Sequence, residues 1–222
     1  MPRYALFLLA MLGGISLAAC QWLIYCYAPE EASMGLVQKI FYIHLPLAIW
    51  ALISFFVLFL ASIAYLWKRN AAADRLAQAA AEVGVLLCGL ALLTGMLWAR
   101  SSWGVWWTWD PRLTTTLVMW FIYAGYLILR SMDLPPGRRN LVCAVLGVVA
   151  FLDVPLVFYS ARIWRSVHPV VFGSQGGGLE PEMRLTVLAC IVSFGLLWLS
   201  LVLLRTQQLH QTACLDRDRQ GL

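Results

Sequence analysis

Charge is scarce in this sequence: Asp, Glu, Lys and Arg make up only 12% of its 222 residues, about half the share found in soluble domains. That shortage, with 62% hydrophobic residues and a mean hydropathy of +0.77, excludes an ordinary water-soluble domain and points to an integral membrane protein. Other signals are missing too. The alternating pattern of a barrel strand does not occur. The six cysteines (Cys20, Cys26, Cys88, Cys143, Cys190 and Cys214) contain no CxxC pair and no His-spaced partner, so they read as small packing residues rather than redox or zinc groups. GSQGGG lacks the GK[ST] of a phosphate loop and follows no strand, which argues for a hinge and against a nucleotide site. The net charge of +5 calls for no nucleic-acid partner, because orientation and anionic lipid already account for it.

What is present is a series of apolar runs. Six of them, at about 4–28, 41–67, 80–99, 113–130, 141–160 and 184–205, approach or exceed the roughly 20 helical residues that cross a bilayer. Lipid cannot satisfy backbone amides, so each run is expected to be a helix. The fold class that follows is an all-α integral membrane protein, a six-transmembrane-helix bundle forming a single polytopic membrane domain over 1–222. The first run, MPRYALFLLA, shows no small-residue cleavage site before QWLIYCY and is expected to be a retained helix.

Basic residues orient the bundle. With the N-terminus inside, inner segments carry Arg3, Lys68, Arg69, Arg75, Arg130, Arg138, Arg139, Arg205, Arg217 and Arg219, and outer segments carry Lys39, Arg100, Arg112, Arg162, Arg165 and Arg184. The excess of inner positives predicts both termini in the cytoplasm and three connections outside. These are APEEASMGLVQK, ARSSWGVWWTWDPR, and the stretch from Ala161 through HPVVFGSQGGGLEPEM.

The second outer connection is unusual. WGVWWTWDPRLT, residues 103–114, holds Trp103, Trp106, Trp107 and Trp109 within seven residues. A helix would set the first three within an arc of roughly 100°, and an extended chain would set Trp103, Trp107 and Trp109 on one side. Either shape gathers at least three indoles, and Gly104 allows close approach of backbone or ligand. An aromatic belt explains one or two tryptophans at a helix end; four beside Gly and Asp favour a ligand platform. Asp110 before Pro111 reads chiefly as the N-cap of the fourth span, with ligand contact secondary. Arg100 and Arg112 bracket the loop, either to pair with carboxylates such as propionates or to snorkel to the interface.

Two of the three histidines flank the same face. His44, in FYIHLPLAIW, stands at the outer mouth of span two, with Pro46 expected in its first helical turn; His168, in RIWRSVHPVVFG, lies just beyond span five; His210 is in the polar tail and is expected to be solvated. Zinc wants a third and fourth ligand, for which Asp110 is the one nearby acid set in a motif. Haem iron needs only two axial ligands, and its porphyrin needs aromatic surface. Asp153, in AFLDVPLVFYS, is the one acid placed inside a span, beside Pro155; its role stays open between helix packing and function.

These residues together resemble a known family. QKIFYIHLPLAIW, WGVWWTWDPRLT and DVPLVFYSARIWRSVHP are similar to the WWD signature of the haem-handling proteins of cytochrome c biogenesis, and six spans match the CcmC type rather than the longer CcmF or CcsA types. The resemblance implies that Trp103, Gly104, Trp106, Trp107, Trp109 and Asp110 form a haem-binding loop, and that His44 and His168 are axial ligands to a non-covalent haem b. It implies a role in the bacterial inner membrane, where haem is held on the periplasmic face and delivered to a periplasmic haem chaperone. It also implies ABC-transporter subunits and a small single-span subunit as partners. Delivery, with no covalent chemistry, is expected ahead of a CcsA-like haem lyase, a haem permease or a scaffold whose loop only docks at the interface.

Overall fold

The computed structural model describes residues 3–32, 34–164 and 179–220. Among them there is no strand, and six helices are long and apolar enough to cross a membrane: Tyr4–Tyr27, Leu36–Lys68, Ala71–Trp103, Pro111–Ser131, Gly137–Ser160 and Pro181–Asp216. The six-span expectation is met. We label the α-helices α1 (Arg3–Trp22), α2 (Phe41–Lys68), α3 (Ala71–Trp103), α4 (Pro111–Ser131), α5 (Pro136–Ala150), α6 (Asp153–Ile163) and α7 (Pro181–Gln220). His168 and the GSQGGG stretch lie outside the described residues.

The longest side-by-side contact is between α2 and α3, and this hairpin is the centre of the bundle; α2 also meets α5 and α7, α3 meets α4 and α7, α4 meets α5 and α6, and α1 lies along α7. Helices in lipid associate through close packing rather than hydrophobic expulsion, so small residues mark the contacts. A Cβ on Gly84 of α3 would stand 2.7 Å from the Phe55 ring of α2, and one on Gly147 of α5 would stand 2.6 Å from Leu58. The rings of Phe55 and Tyr123 stack at 3.7 Å and 2°, tying α2 to α4. Half-buried indoles find acceptors for their N–H groups on neighbouring helices: Trp50 donates to the Ile191 carbonyl at 2.8 Å and Trp120 to that of Val85 at 3.1 Å. Cys20, Cys88, Cys143 and Cys190 are buried and no cysteine is in a disulfide, in keeping with packing roles.

Several boundaries differ from expectation, each for a local reason. The inner connection WKRNAAADRLAQ is almost all helix, because its alanines are strong helix formers. The turn shrinks to Arg69, in the left-handed region at φ 51°, and Asn70, whose side chain caps α3 by accepting from the Ala72 amide at 2.8 Å. Leu36–Ile40 forms a 3-10 turn leading into α2, so Pro46 falls inside the helix as its sixth residue rather than in the first turn. The fifth span is two helices, α5 and α6, with the break at Phe151 and Leu152 just before Asp153 and Pro155. The polar tail is not a loose end: α7 continues for 40 residues, about 60 Å at helical rise. His210 is on that extension, exposed, 3.5 Å from the Cys214 sulfur.

Candidate functional site

At the end of the bundle that carries the tryptophans, the helices diverge around a cavity of about 660 Å³, within the range of small-molecule and cofactor sites. It opens between α2, α3, α4 and α6, with Leu179 and Met183 closing one side and the first connection contributing Glu31, Met34 and Gln38. Its walls are mostly apolar, and a few polar groups converge on it: His44, Arg112, Gln38 and Glu31.

His44 is the best-defined of these. Its Nδ1 lies 3.0 Å from the Ala91 carbonyl and 3.1 Å from the Thr94 hydroxyl. A carbonyl can only accept, so Nδ1 carries the proton and a neutral ring then holds its lone pair on Nε2. Metal-binding imidazoles are commonly oriented in this way, through the nitrogen that does not ligate. The ring also needs Gly95 beneath it, because a Cβ there would come within 3.1 Å of His44 Cε1. Glycine at 95 leaves the space the imidazole occupies.

The indoles divide into separate settings. Trp103 is the last residue of α3, lines the cavity, and meets Trp98 edge to face at 5.1 Å. These two are the cavity's tryptophans. Trp107 and Trp109 form a second edge-to-face pair at 6.0 Å, with Trp109 77% exposed, and Trp106 is 53% exposed under the Arg100 guanidinium at 5.9 Å. None of Trp106, Trp107 and Trp109 is among the residues lining the cavity. The loop therefore divides its indoles between an interior wall and a surface.

The remaining residues of the motif hold its shape. Gly104 ends α3 in the left-handed region at φ 76°, a conformation that costs glycine nothing. Its carbonyl accepts from Arg100, so Arg100 fastens the helix end and lies outside the cavity lining. Asp110 caps α4: its Oδ1 accepts from the Arg112 amide at 2.9 Å, and Pro111 takes the first helical position. Arg112 lines the cavity. Of the two bracketing arginines, only Arg112 meets the enclosed space.

Residue-by-residue reading of the sequence missed Trp98, Gly95, Gln38 and the cavity itself. A signal existed. On α3, Cys88, Ala91, Leu92, Gly95 and Trp98 recur at helical spacing, and on α2 the same holds for Phe41, His44, Leu45, Ala48, Ile49 and Leu52. Small residues on both stripes, Cys88, Ala91 and Gly95 on α3 and Ala48 on α2, leave space between the facing helices.

Comparison with known proteins accords with the resemblance read from the motif. A family model described as CcmC, Heme exporter protein C, matches residues 2–220. The chain is similar to the Heme exporter protein C of Bradyrhizobium diazoefficiens, 35% identical over 177 residues, covering 78% of this chain and 67% of that relative. The protein of the same name from Rhodobacter capsulatus is 31% identical over 192 residues, covering 82% and 77%. That of Escherichia coli is 31% identical over 185 residues, covering 82% and 74%.

Proposed function

This chain belongs to the CcmC family, Heme exporter protein C, and on that premise we propose that it is a multi-pass haem-handling component of cytochrome c maturation. It holds a non-covalent haem b in the cavity beside its tryptophan loop and passes it to a partner. The observation that carries this reading is His44, fixed through Nδ1 by the Ala91 carbonyl over Gly95 in the wall of an apolar space of about 660 Å³. The donor set suits the group, since an oriented neutral imidazole, aromatic walls and one arginine meet the needs of iron, porphyrin and propionate respectively.

When bound, haem supplies an iron that takes axial nitrogen ligands and an edge that a partner can grasp. The chain's own residues do the rest. His44 would hold the iron through Nε2, and His168, in the third outer connection, would supply the second ligand. Trp98 and Trp103, packed edge to face, give the cavity an aromatic wall that excludes water. Arg112 neutralises a propionate by a bidentate contact. Arg100, Gly104 and Asp110 keep the loop at its two helix ends. Trp106, Trp107 and Trp109 form the roof and the surface that a partner meets.

The role is delivery rather than catalysis, in the bacterial inner membrane with the loop on the periplasmic side. Its partners are the ABC-transporter subunits of the same system, a small single-span subunit and the periplasmic haem chaperone. The names of the relatives, which are heme exporters, support a transport or delivery role over a haem lyase.

Optical spectra of the purified protein test the ligation. Wild type is expected to show a low-spin, bis-histidine haem. His44→Ala and His168→Ala are each expected to lose that signature and to regain part of it with added imidazole. A protein that carries no haem after haem-replete expression, or histidine variants with unchanged spectra, would overturn the reading.

A further inference from the structure

The end of the bundle opposite the tryptophan loop holds an unusual gathering of arginines. Arg130, in the last turn of α4, is 7% exposed and grips Asp74 of α3, donating to its Oδ1 at 2.6 and 3.0 Å and to its backbone carbonyl at 2.8 Å. Arg75 of α3 and Arg139 of α5 are half-buried and lie close enough to act electrostatically on the same carboxylate. Neither side chain forms a hydrogen bond or ion pair among the described residues, and the Nε atoms of Arg75, Arg130 and Arg139 are all buried without an acceptor.

Guanidinium does not lose its proton in proteins, so three positive charges face one carboxylate that Arg130 already occupies. The nearby acids do not relieve the imbalance: Glu82 is held by Arg205 at 2.5 and 3.1 Å, and Asp133, between α4 and α5, is exposed. Charge partly withdrawn from water without a counter-charge is costly, and the remedy is an anion that brings several acceptor oxygens. The position narrows its chemistry. Arg75, Arg130 and Arg139 each lie within a few residues of the end of a span, the depth of lipid phosphates. Along α5 from Arg139, Val142, Val145 and Val149 are exposed apolar residues on the same side of the helix, a surface for an acyl chain.

We propose that Arg75, Arg130 and Arg139 form a binding site for a phosphate-bearing anion, supplied either by the headgroup of an acidic phospholipid or by a soluble phosphate compound. Native mass spectrometry of the full chain released from phosphatidylcholine nanodiscs containing phosphatidylglycerol tests the first source. Wild type is expected to retain phosphatidylglycerol selectively. The double variant Arg75→Gln/Arg139→Gln, which keeps the Arg130–Asp74 pair, is expected to lose about tenfold in that preference, in line with lost charge-assisted hydrogen bonds. Arg138→Gln, which removes a neighbouring exposed charge, is expected to change nothing.

Thermal melting with added inorganic phosphate or pyrophosphate tests the second source, where a stabilisation present in wild type and absent in the double variant assigns the site to soluble phosphate. Equal retention of phosphatidylglycerol by wild type and the double variant, with no phosphate-dependent melting shift, would overturn the proposal. So would an equal loss in Arg138→Gln, which would reduce the effect to diffuse surface charge. If the double variant does not accumulate, wild type decides alone: equal retention of the two lipids and no melting shift would overturn the site.

Discussion

The two ends of this bundle use their polar residues differently. At the tryptophan end the helices leave a cavity of about 660 Å³ that His44 and Arg112 line, and the bond from His44 of α2 to the Ala91 carbonyl of α3 orients an imidazole at that space. At the other end polar groups join helices directly: Arg130 of α4 to Asp74 of α3 at 2.6 Å, and Arg205 of α7 to Glu82 of α3 at 2.5 Å. One end is arranged to accept a guest, while the other clamps the frame that keeps the guest site open. Stability and ligand affinity should therefore respond to changes at different ends.

The largest effect is expected at the clamp. Asp74→Ala leaves Arg130 buried beside Arg75 and Arg139 with no carboxylate, and removing one partner of a buried pair typically costs about 3–5 kcal/mol. Unfolding in detergent should show that loss, with the haem spectrum of the surviving folded protein unchanged. If Asp74→Ala unfolds no more easily than Arg112→Ala at the cavity, the contrast between the two ends fails. Next comes Gly95→Val, which places atoms where the His44 ring now sits. Overpacking of this kind costs about 1–3 kcal/mol, and haem titration should show affinity falling by roughly tenfold or more, while unfolding shifts far less than in Asp74→Ala. The smallest is Asp110→Ala, which removes the cap of α4 for about 1 kcal/mol. Asp110→Asn, which keeps an acceptor, should recover most of that stability in the same melting assay.

The helical architecture was legible because lipid leaves the chain few options: six long apolar runs with few charges had to be six helices, and their number and order follow from composition. The cap at Asp110 was legible for a similar reason, since Asp before Pro is a local signal that needs no tertiary context. Less legible was the division of labour within the loop. Trp103 belongs to α3 and faces inward, while Trp106 and Trp109 face outward, because the left-handed turn at Gly104 reverses the chain between them. Nothing in the spacing of the tryptophans specifies that turn; only the glycine hints at it. Arg100 and Arg112 looked equivalent, and they separate only once the ends of α3 and α4 are in place. The interrupted fifth span was signalled by Pro155, whereas the long extension of α7 was hidden by a polar composition that reads equally well as a loose tail.

The most direct test fills the cavity and leaves its histidine alone. Ala48 lines the same space on α2, one helical turn from His44, and Ala48→Trp puts an indole where a porphyrin is expected to lie. Haem titration of this variant beside wild type, each first checked for unaltered melting without haem, should show loss of binding with His44 still present. Retention of a wild-type haem spectrum by a folded Ala48→Trp protein would contradict the assignment of this cavity as the haem site.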